Sequence, residues 1–156
     1  DTSELAVAMS KTSAIANSAG MSFEATSAML TQLIEQTREA PEALGTSLKT
    51  VISRFQELKA NPTQLLEIDG EAASLNKMDS ALASVGISLK DASGQFRDLD
   101  DVIFELSKIW DSLDRNTQRW IANTAAGSRQ QSRFISLLSD SERFALKLQN
   151  HQLIGV

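Results

Sequence analysis

Cysteine is absent from this 156-residue chain, and histidine occurs once. Without thiols there is no disulfide scaffold, no thiolate metal site and no thiol nucleophile. A single His excludes any site that needs two. Proline is scarce as well, with 2 residues against 19 Ala and 20 Ser, and that balance favours helices over strands. Long hydrophobic runs are missing. The longest, Leu5 to Met9, falls far short of the roughly 20 residues a membrane-spanning helix needs. No basic start precedes an apolar run, so no secretory signal is visible.

An excess of positive charge is also lacking. The chain holds 15 Lys and Arg against 20 Asp and Glu, for a net −5. Residues 1–96 carry 7 basic and 12 acidic side chains, while residues 97–156 carry 8 of each. No Lys/Arg cluster forms, which argues against a phosphate-backbone binder. Hydrophobic residues make up 42%, enough to bury a core, and the length suits one domain. The first residue is Asp1 rather than Met, so the chain is expected to be a piece of a longer one.

Apolar spacing is helical almost throughout. Leu5, Ala8, Met9, Thr12, Ala16 and Ala19 form a stripe of small residues, closed by Gly20 as a C-terminal cap. Ser22 caps a second helix with Phe23, Thr26, Leu30, Leu33 and Ile34 inward. Pro41 opens a third, with the stripe Leu44, Leu48, Val51, Ile52, Phe55 and Leu58, ending near Asn61-Pro62. Residues 61–73 mix Pro, Gly and acids without a period and read as a loop or linker. Leu75, Met78, Leu82 and Val85 make a short helix that stops at Gly86. Residues 87–97 alternate around the turn Asp91-Ala92-Ser93-Gly94 and are the β-hairpin candidate.

Asp98, with Asp101 three residues on, caps the strongest helix, whose apolar face is Val102, Ile103, Leu106, Ile109, Trp110 and Leu113. Asp114 caps the next, with Trp120, Ile121, Thr124 and Ala125 inward. After Gly127 come Phe134, Ile135, Leu137 and Leu138, then a last helix boxed by Ser139 and Glu142 and carrying Phe144, Ala145 and Leu148. The tail 151–156 has no period and is expected to fray. One straight helix of this length would run about 230 Å; the repeated stops predict that the chain folds back. The expected fold is all-α, a bundle of seven or eight capped helices with a small β-hairpin at residues 87–97. Residues 1–60 read as an Ala/Ser-rich helical segment, looser or extended, and residues 61–73 as a linker. Residues 74–150 read as the compact core and residues 151–156 as the tail. The small-residue stripe is expected to pack against another copy or another part of a longer chain.

No catalytic constellation emerges, so no catalytic, cofactor-binding or metal-ligating residue is assigned, and an enzyme is not expected. His151 is the sole imidazole and lies in the tail, so a Ser–His pair has no support. No G-x-S-x-G, G-x-x-x-x-G-K-[ST] or G-x-G-x-x-G occurs. The run from Asp91 resembles a calcium loop until its twelfth position, Val102, where a bidentate Glu is required. Asp98, Asp100 and Asp101 read as the anionic start of a helix, where the dipole favours them. Glu35 and Glu39 are i,i+4 neighbours on a wet face. Trp110 and Trp120 lie on apolar stripes, which predicts core packing; the other reading is interface anchors. Arg129 and Arg133, beside Gln130 and Gln131, form a solvated face or a polar surface for a partner chain.

The ordered set from Leu82 to Leu138 resembles the core region of bacteriophage tail tape measure proteins. It runs through Val85-Gly86-Ile87-Ser88-Leu89, Asp91-Ala92-Ser93-Gly94-Gln95-Phe96-Arg97-Asp98-Leu99, the helix Val102 to Leu113, Gln118, and Ala126-Gly127-Ser128-Arg129-Gln130-Gln131-Ser132-Arg133-Phe134. Upstream, Ala19-Gly20-Met21-Ser22-Phe23-Glu24 is similar to the family's pattern of small-residue helix, glycine stop and capped helix. The resemblance implies a structural protein of a phage or prophage, inside the tail tube, that sets tail length during assembly. It implies tail-tube subunits, tail assembly chaperones and tail-tip proteins as partners, with self-association also expected. Neither nucleic acid nor membrane is an expected partner of this segment. The implied locations are the tail lumen of the virion and the host cytoplasm during assembly. The family has no catalytic residues here to carry over. A tail of about 1,000 Å spanned by one helix needs about 670 residues, so this segment alone cannot measure one. The alternative is a stand-alone helical adaptor without catalytic activity.

Overall fold

The computed structural model describes residues 2–140 together with Arg143, Phe144 and Leu146. Seven α-helices occur among the described residues: α1 Thr2–Ser18, α2 Phe23–Gln36, α3 Pro41–Ala60, α4 Leu75–Ala83, α5 Leu99–Ile109, α6 Arg115–Ala126 and α7 Gln131–Leu138. A 3-10 turn, Trp110–Ser112, follows α5. Two short strands, β1 Leu66–Ile68 and β2 Glu71–Ala73, pair antiparallel. The fold is thus all-α with one small hairpin. The last helix expected after Ser139 lies outside the described residues, apart from Arg143, Phe144 and Leu146, and so does the tail with His151.

The turns follow from local chemistry. Gly20 takes φ +78°, which a side chain would resist. That lets Met21 N–H reach Ala16 O at 3.0 Å and Gly20 N–H reach Asn17 O at 3.1 Å, satisfying the last carbonyls of α1. Ser22 Oγ then accepts from Ala25 N–H at 3.0 Å and starts α2. Pro41 opens α3 after Ala40, where no amide is needed. Ser74 and Asp114 cap α4 and α6 by accepting from Lys77 N–H and Thr117 N–H.

α1 packs on both α3 and α2, so the front of the chain is folded back rather than extended. Its small residues meet α3: Ala8, Thr12 and Ala16 are buried. Of the two expected covers for this stripe, another copy or another part of the chain, α3 of the same chain supplies the second at Ala8 and Thr12. Contact is close because Gly45 has no side chain. A Cβ there would lie 2.5 Å from Ala8 O. Thr12 Oγ1 donates to Gly45 O at 2.9 Å across the same crossing. The buried apolar cluster runs without a break from Ala8 to Phe144 and includes Leu30, Leu44, Ile52 and Leu58 of α2 and α3. Deep burial therefore begins well before residue 75.

The two-stranded sheet lies outside the residues 87–97 where the hairpin was expected. Pairing occurs at Leu66↔Ala73, Glu67↔Ala72 and Ile68↔Glu71, inside the stretch read as a linker. Its two-residue turn, Asp69-Gly70, has φ +54° and +78°, the positive pair a type I′ hairpin needs. Residues 87–97 close with a single bridge, Lys90↔Phe96. There Asp91 N–H donates to Gln95 O at 2.8 Å and Arg97 N–H to Leu89 O at 2.9 Å, and the Asp91 carboxylate takes the N–H groups of Ser93 and Gln95, so a side chain reinforces a minimal backbone pairing. The alternation seen in sequence is real in one respect: Ile87 and Leu89 are buried and Ser88 is exposed.

Candidate docking groove

The acidic cluster stands at the start of α5 as expected, with Asp100 and Asp101 in its first turn, but the expected side-chain cap is missing. Asp98 occupies the N-cap position, but its side chain makes no capping bond. Its Oδ1 lies 2.8 Å from where a Cβ on Gly20 would be. Asp100 Oδ2 accepts from Ser22 N–H at 3.1 Å. The start of α5 thus grips the turn between α1 and α2. Burial raises the Asp100 carboxyl above its ordinary value, against the opposing pull of the Ser22 amide. Ligand atoms of Asp98, Asp100 and Asp101 fall within 4.8 Å of one another. The two hydrogen-bonded or packed carboxylates already have a structural task at the turn.

The remaining candidates separate. Trp110 is buried and meets the Phe134 ring edge-on at 6.2 Å and 78°. Trp120, expected inward, is 46% exposed, and Phe23 is 68% exposed. Arg133 faces its own chain: it forks onto Glu39 with bonds of 2.9 and 2.6 Å and donates to Gln130 Oε1 at 3.0 Å. That oxygen also accepts from Ser47 Oγ. Arg133, by hydrogen bond and then charge, lowers the Glu39 carboxyl. Glu35 lies 3.8 Å from Arg143.

A groove of about 610 Å³ opens beside Trp120, between β2, α4 and α6, with Arg54 of α3 at its inner wall. Glu71, Ala72, Ala73 and Ser74 line one side, Asn76, Lys77 and Ser80 another, and Trp120, Asn123 and Thr124 the third. Arg54 is only 4% exposed. Its Nε donates to Thr124 O at 3.5 Å, a long bond. Desolvation lowers its pKa, and the nearby charges of Glu71, Asp69 and Glu57 oppose that. Arginine stays protonated even so, because its starting value is so high. Glu71 Oε2 accepts from Ser128 N–H at 3.0 Å. Hydrogen bonds from Ser128 hold the Glu71 carboxyl below its ordinary range, with Arg54 adding a smaller charge effect. Gly127, at the turn after α6, leaves the space: a Cβ there would sit 3.1 Å from Glu71 Oε2 and 3.2 Å from Arg54 Nη1.

Sequence reasoning singled out neither Arg54 nor Glu71. Arg54 shares the buried α3 face of Val51, Phe55 and Leu58, so the apolar stripe masks it. The usable signals were that charge on a buried stripe and the Asp69-Gly70 turn that presents Glu71.

An all-α core with a mixed polar and aromatic groove defines a helical module. The family model of phage-related minor tail proteins matches residues 1–127, which spans α1 through α6, and the chain belongs to that family. It is therefore a phage tail protein with a structural role, a component of the virion. No solved structure matches the chain. Among the described residues, no helix is long and apolar enough to cross a membrane.

Proposed function

We propose that this chain is a folded, non-catalytic module of a phage or prophage tail tape measure protein, acting in tail assembly and length determination inside the tail tube. The observation that carries the reading is the family match over residues 1–127, joined to the ordered glycine stops and capped helices of the segment. Helices that turn back at Gly20, Asn61 and Gly127 make a globular unit and not a ruler, so the module serves as a docking or anchoring part of a longer chain. Tail-tube subunits, assembly chaperones and tail-tip proteins are the proposed partners. The division at residues 61–73 remains part of this proposal, with both sides of it feeding one buried cluster. The lumen of the tail, and the host cytoplasm during assembly, are the proposed locations.

The test is an in-frame deletion of the sequence encoding residues 1–140 in the phage that carries it, read by electron microscopy and plaque titre. The expected outcome is absent or wrongly sized tails. Tails of normal length with normal titre would overturn the proposal.

A further inference from the structure

The register of the small sheet leaves one strand edge open toward the groove. Ile68 and Glu71 flank a two-residue turn, so they form a hydrogen-bonded pair, and so do Leu66 and Ala73. Ala72, opposite Glu67, is then the non-bonded position, and its N–H and C=O point away from β1. Successive strand side chains alternate between faces. Glu71, Ala72 and Ala73 nevertheless all line the groove. The groove therefore runs along the outer edge of β2 rather than over one face.

What surrounds that edge selects a kind of occupant. Arg54 is almost wholly buried, yet lines the groove. Among the described residues its Nη groups make no hydrogen bond, while no buried side-chain nitrogen or oxygen lacks a partner. The Nη groups therefore keep some solvent contact on a residue that lines the groove, where a guanidinium fork matches a carboxylate. Lys77 adds a second cation. Among the described residues the one lining carboxylate, Glu71, accepts from Ser128 N–H. Among the described residues the groove lining carries two cations and one carboxylate, on a chain whose net charge is −5. The half-exposed Trp120 indole offers an apolar platform on the far wall.

We propose that the groove receives an extended acidic peptide segment, which adds a strand to the outer edge of β2, sets a carboxylate on Arg54 and lays an apolar side chain on Trp120. Strand addition supplies affinity through the main chain and specificity through alternate side chains. The proposal does not depend on the place of the chain within a tail.

The probe is an end-blocked octapeptide that alternates Val with Glu or Asp, titrated into the ¹⁵N-labelled 156-residue chain. A counterpart carrying Lys at the acidic positions and acetate alone serve as controls. The acidic peptide should shift the Ala72 and Ala73 amides and the Trp120 indole N–H in a saturable way. The Lys peptide should bind at least about tenfold more weakly, and acetate should leave the Ala72 amide unmoved. Ala72→Pro removes the outward donor and leaves the β1–β2 hydrogen bonds in place, since that N–H is not used by β1, and should weaken binding about tenfold. Trp120→Ala, a surface change, should weaken it about fivefold and covers the case in which Ala72→Pro fails to fold. The proposal is overturned by any of three results: no shift at these sites at millimolar peptide, equal binding of the Lys peptide, or acetate reproducing the full pattern. Unchanged affinity in a folded Ala72→Pro or in Trp120→Ala would overturn it as well.

Discussion

Helices α1 and α3 meet through Ala8, Thr12 and Gly45, residues with almost no side-chain reach. The region of α5 to α7 meets through Trp110, Phe134, Leu137 and Leu138, with an indole and a phenyl ring in edge contact. Both regions belong to one buried cluster. Apolar area per residue is small in the first and large in the second, so hydrophobic transfer at about 25 cal/mol per Å² favours the back. The front recovers through proximity: backbones close enough for Thr12 to donate to Gly45 O across the crossing. A sequence poor in large apolar residues can therefore still build a firm interface, provided a glycine admits the neighbouring backbone. The difference lies in what each region tolerates. The back should suffer from lost volume and the front from added volume.

Removing volume from the back is the largest expected effect. Trp110 is 1% exposed, and Trp110→Ala leaves a cavity facing Phe134. Large aromatic truncations in cores cost about 3–5 kcal/mol, so a loss of about 4 kcal/mol in urea unfolding is expected. A loss below about 1 kcal/mol would mean that the back is as loosely filled as its sequence neighbours on the surface, and the contrast would fall.

Adding one methyl to the front comes next. At Gly45 a Cβ would meet Ala8 O at 2.5 Å and Lys11 Cβ at 2.9 Å. The first of these is backbone, so it cannot swing aside. Overpacking costs about 1–3 kcal/mol, while Gly to Ala in a helix interior returns up to about 1 kcal/mol. The clash should win, with a net loss of about 2 kcal/mol and faster hydrogen exchange in α1 ahead of α5. If Gly45→Ala is neutral or stabilising, α1 sits further from α3 than this crossing implies.

What could be read in the sequence was mostly local. Ser22 and Asp114 cap as their positions suggest, because N-capping involves residues three apart. Gly20 and Gly86 adopt positive φ where the helical stripes end. Pro41 opens α3, and α3 stops at Ala60 before Asn61-Pro62. The resemblance to tail proteins also held at the level of the family. What failed depended on packing at long range. Asp98 has the right residue type for a cap, but its carboxylate is drawn to the turn at Gly20. Trp120 lies on an apolar stripe, yet its helix shows that edge to the groove. The hairpin at 66–73 carries its turn signal in Asp69-Gly70, but its strands are only three residues long and include Glu67 and Glu71, so no alternating apolar run flanks the turn. The groove is built from Arg54, Glu71 and Thr124, and the Arg54–Thr124 bond alone spans 70 positions. No window along the chain contains it.

The joint between α5 and the first turn of the front gives a smaller effect, with a pH signature. Asp100 has a raised carboxyl value caused first by burial, so its ionised form weighs against the folded state. A group whose folded value is raised contributes stability below its unfolded value and loses it as pH rises. Asp100→Asn keeps an acceptor for Ser22 N–H and removes the buried charge. It also gives up the favourable dipole at the start of α5, so the gain should be modest, about 1–2 °C in Tm at pH 7. The two melting curves should converge below about pH 4. A lower Tm for Asp100→Asn at pH 7 would show that the dipole outweighs desolvation.

The smallest effect is expected where α7 is tied to the turn between α2 and α3. Arg133 and Glu39 form a two-bond fork, but their side chains are 27% and 39% exposed. Solvent and salt screen such pairs, and exposed ones are worth about 0.2–1 kcal/mol. Glu39 has a lowered carboxyl value, caused first by the Arg133 hydrogen bond. A depressed carboxyl contributes stability above its unfolded value and loses it as pH falls through the folded one. Glu39→Gln should therefore melt slightly lower than the parent at pH 7 and level with it near pH 3, opposite in sign to Asp100→Asn at neutral pH. If the deficit persists at low pH, Glu39 holds the two regions together by packing rather than by charge. The front and back would then be joined in the same way that each is filled.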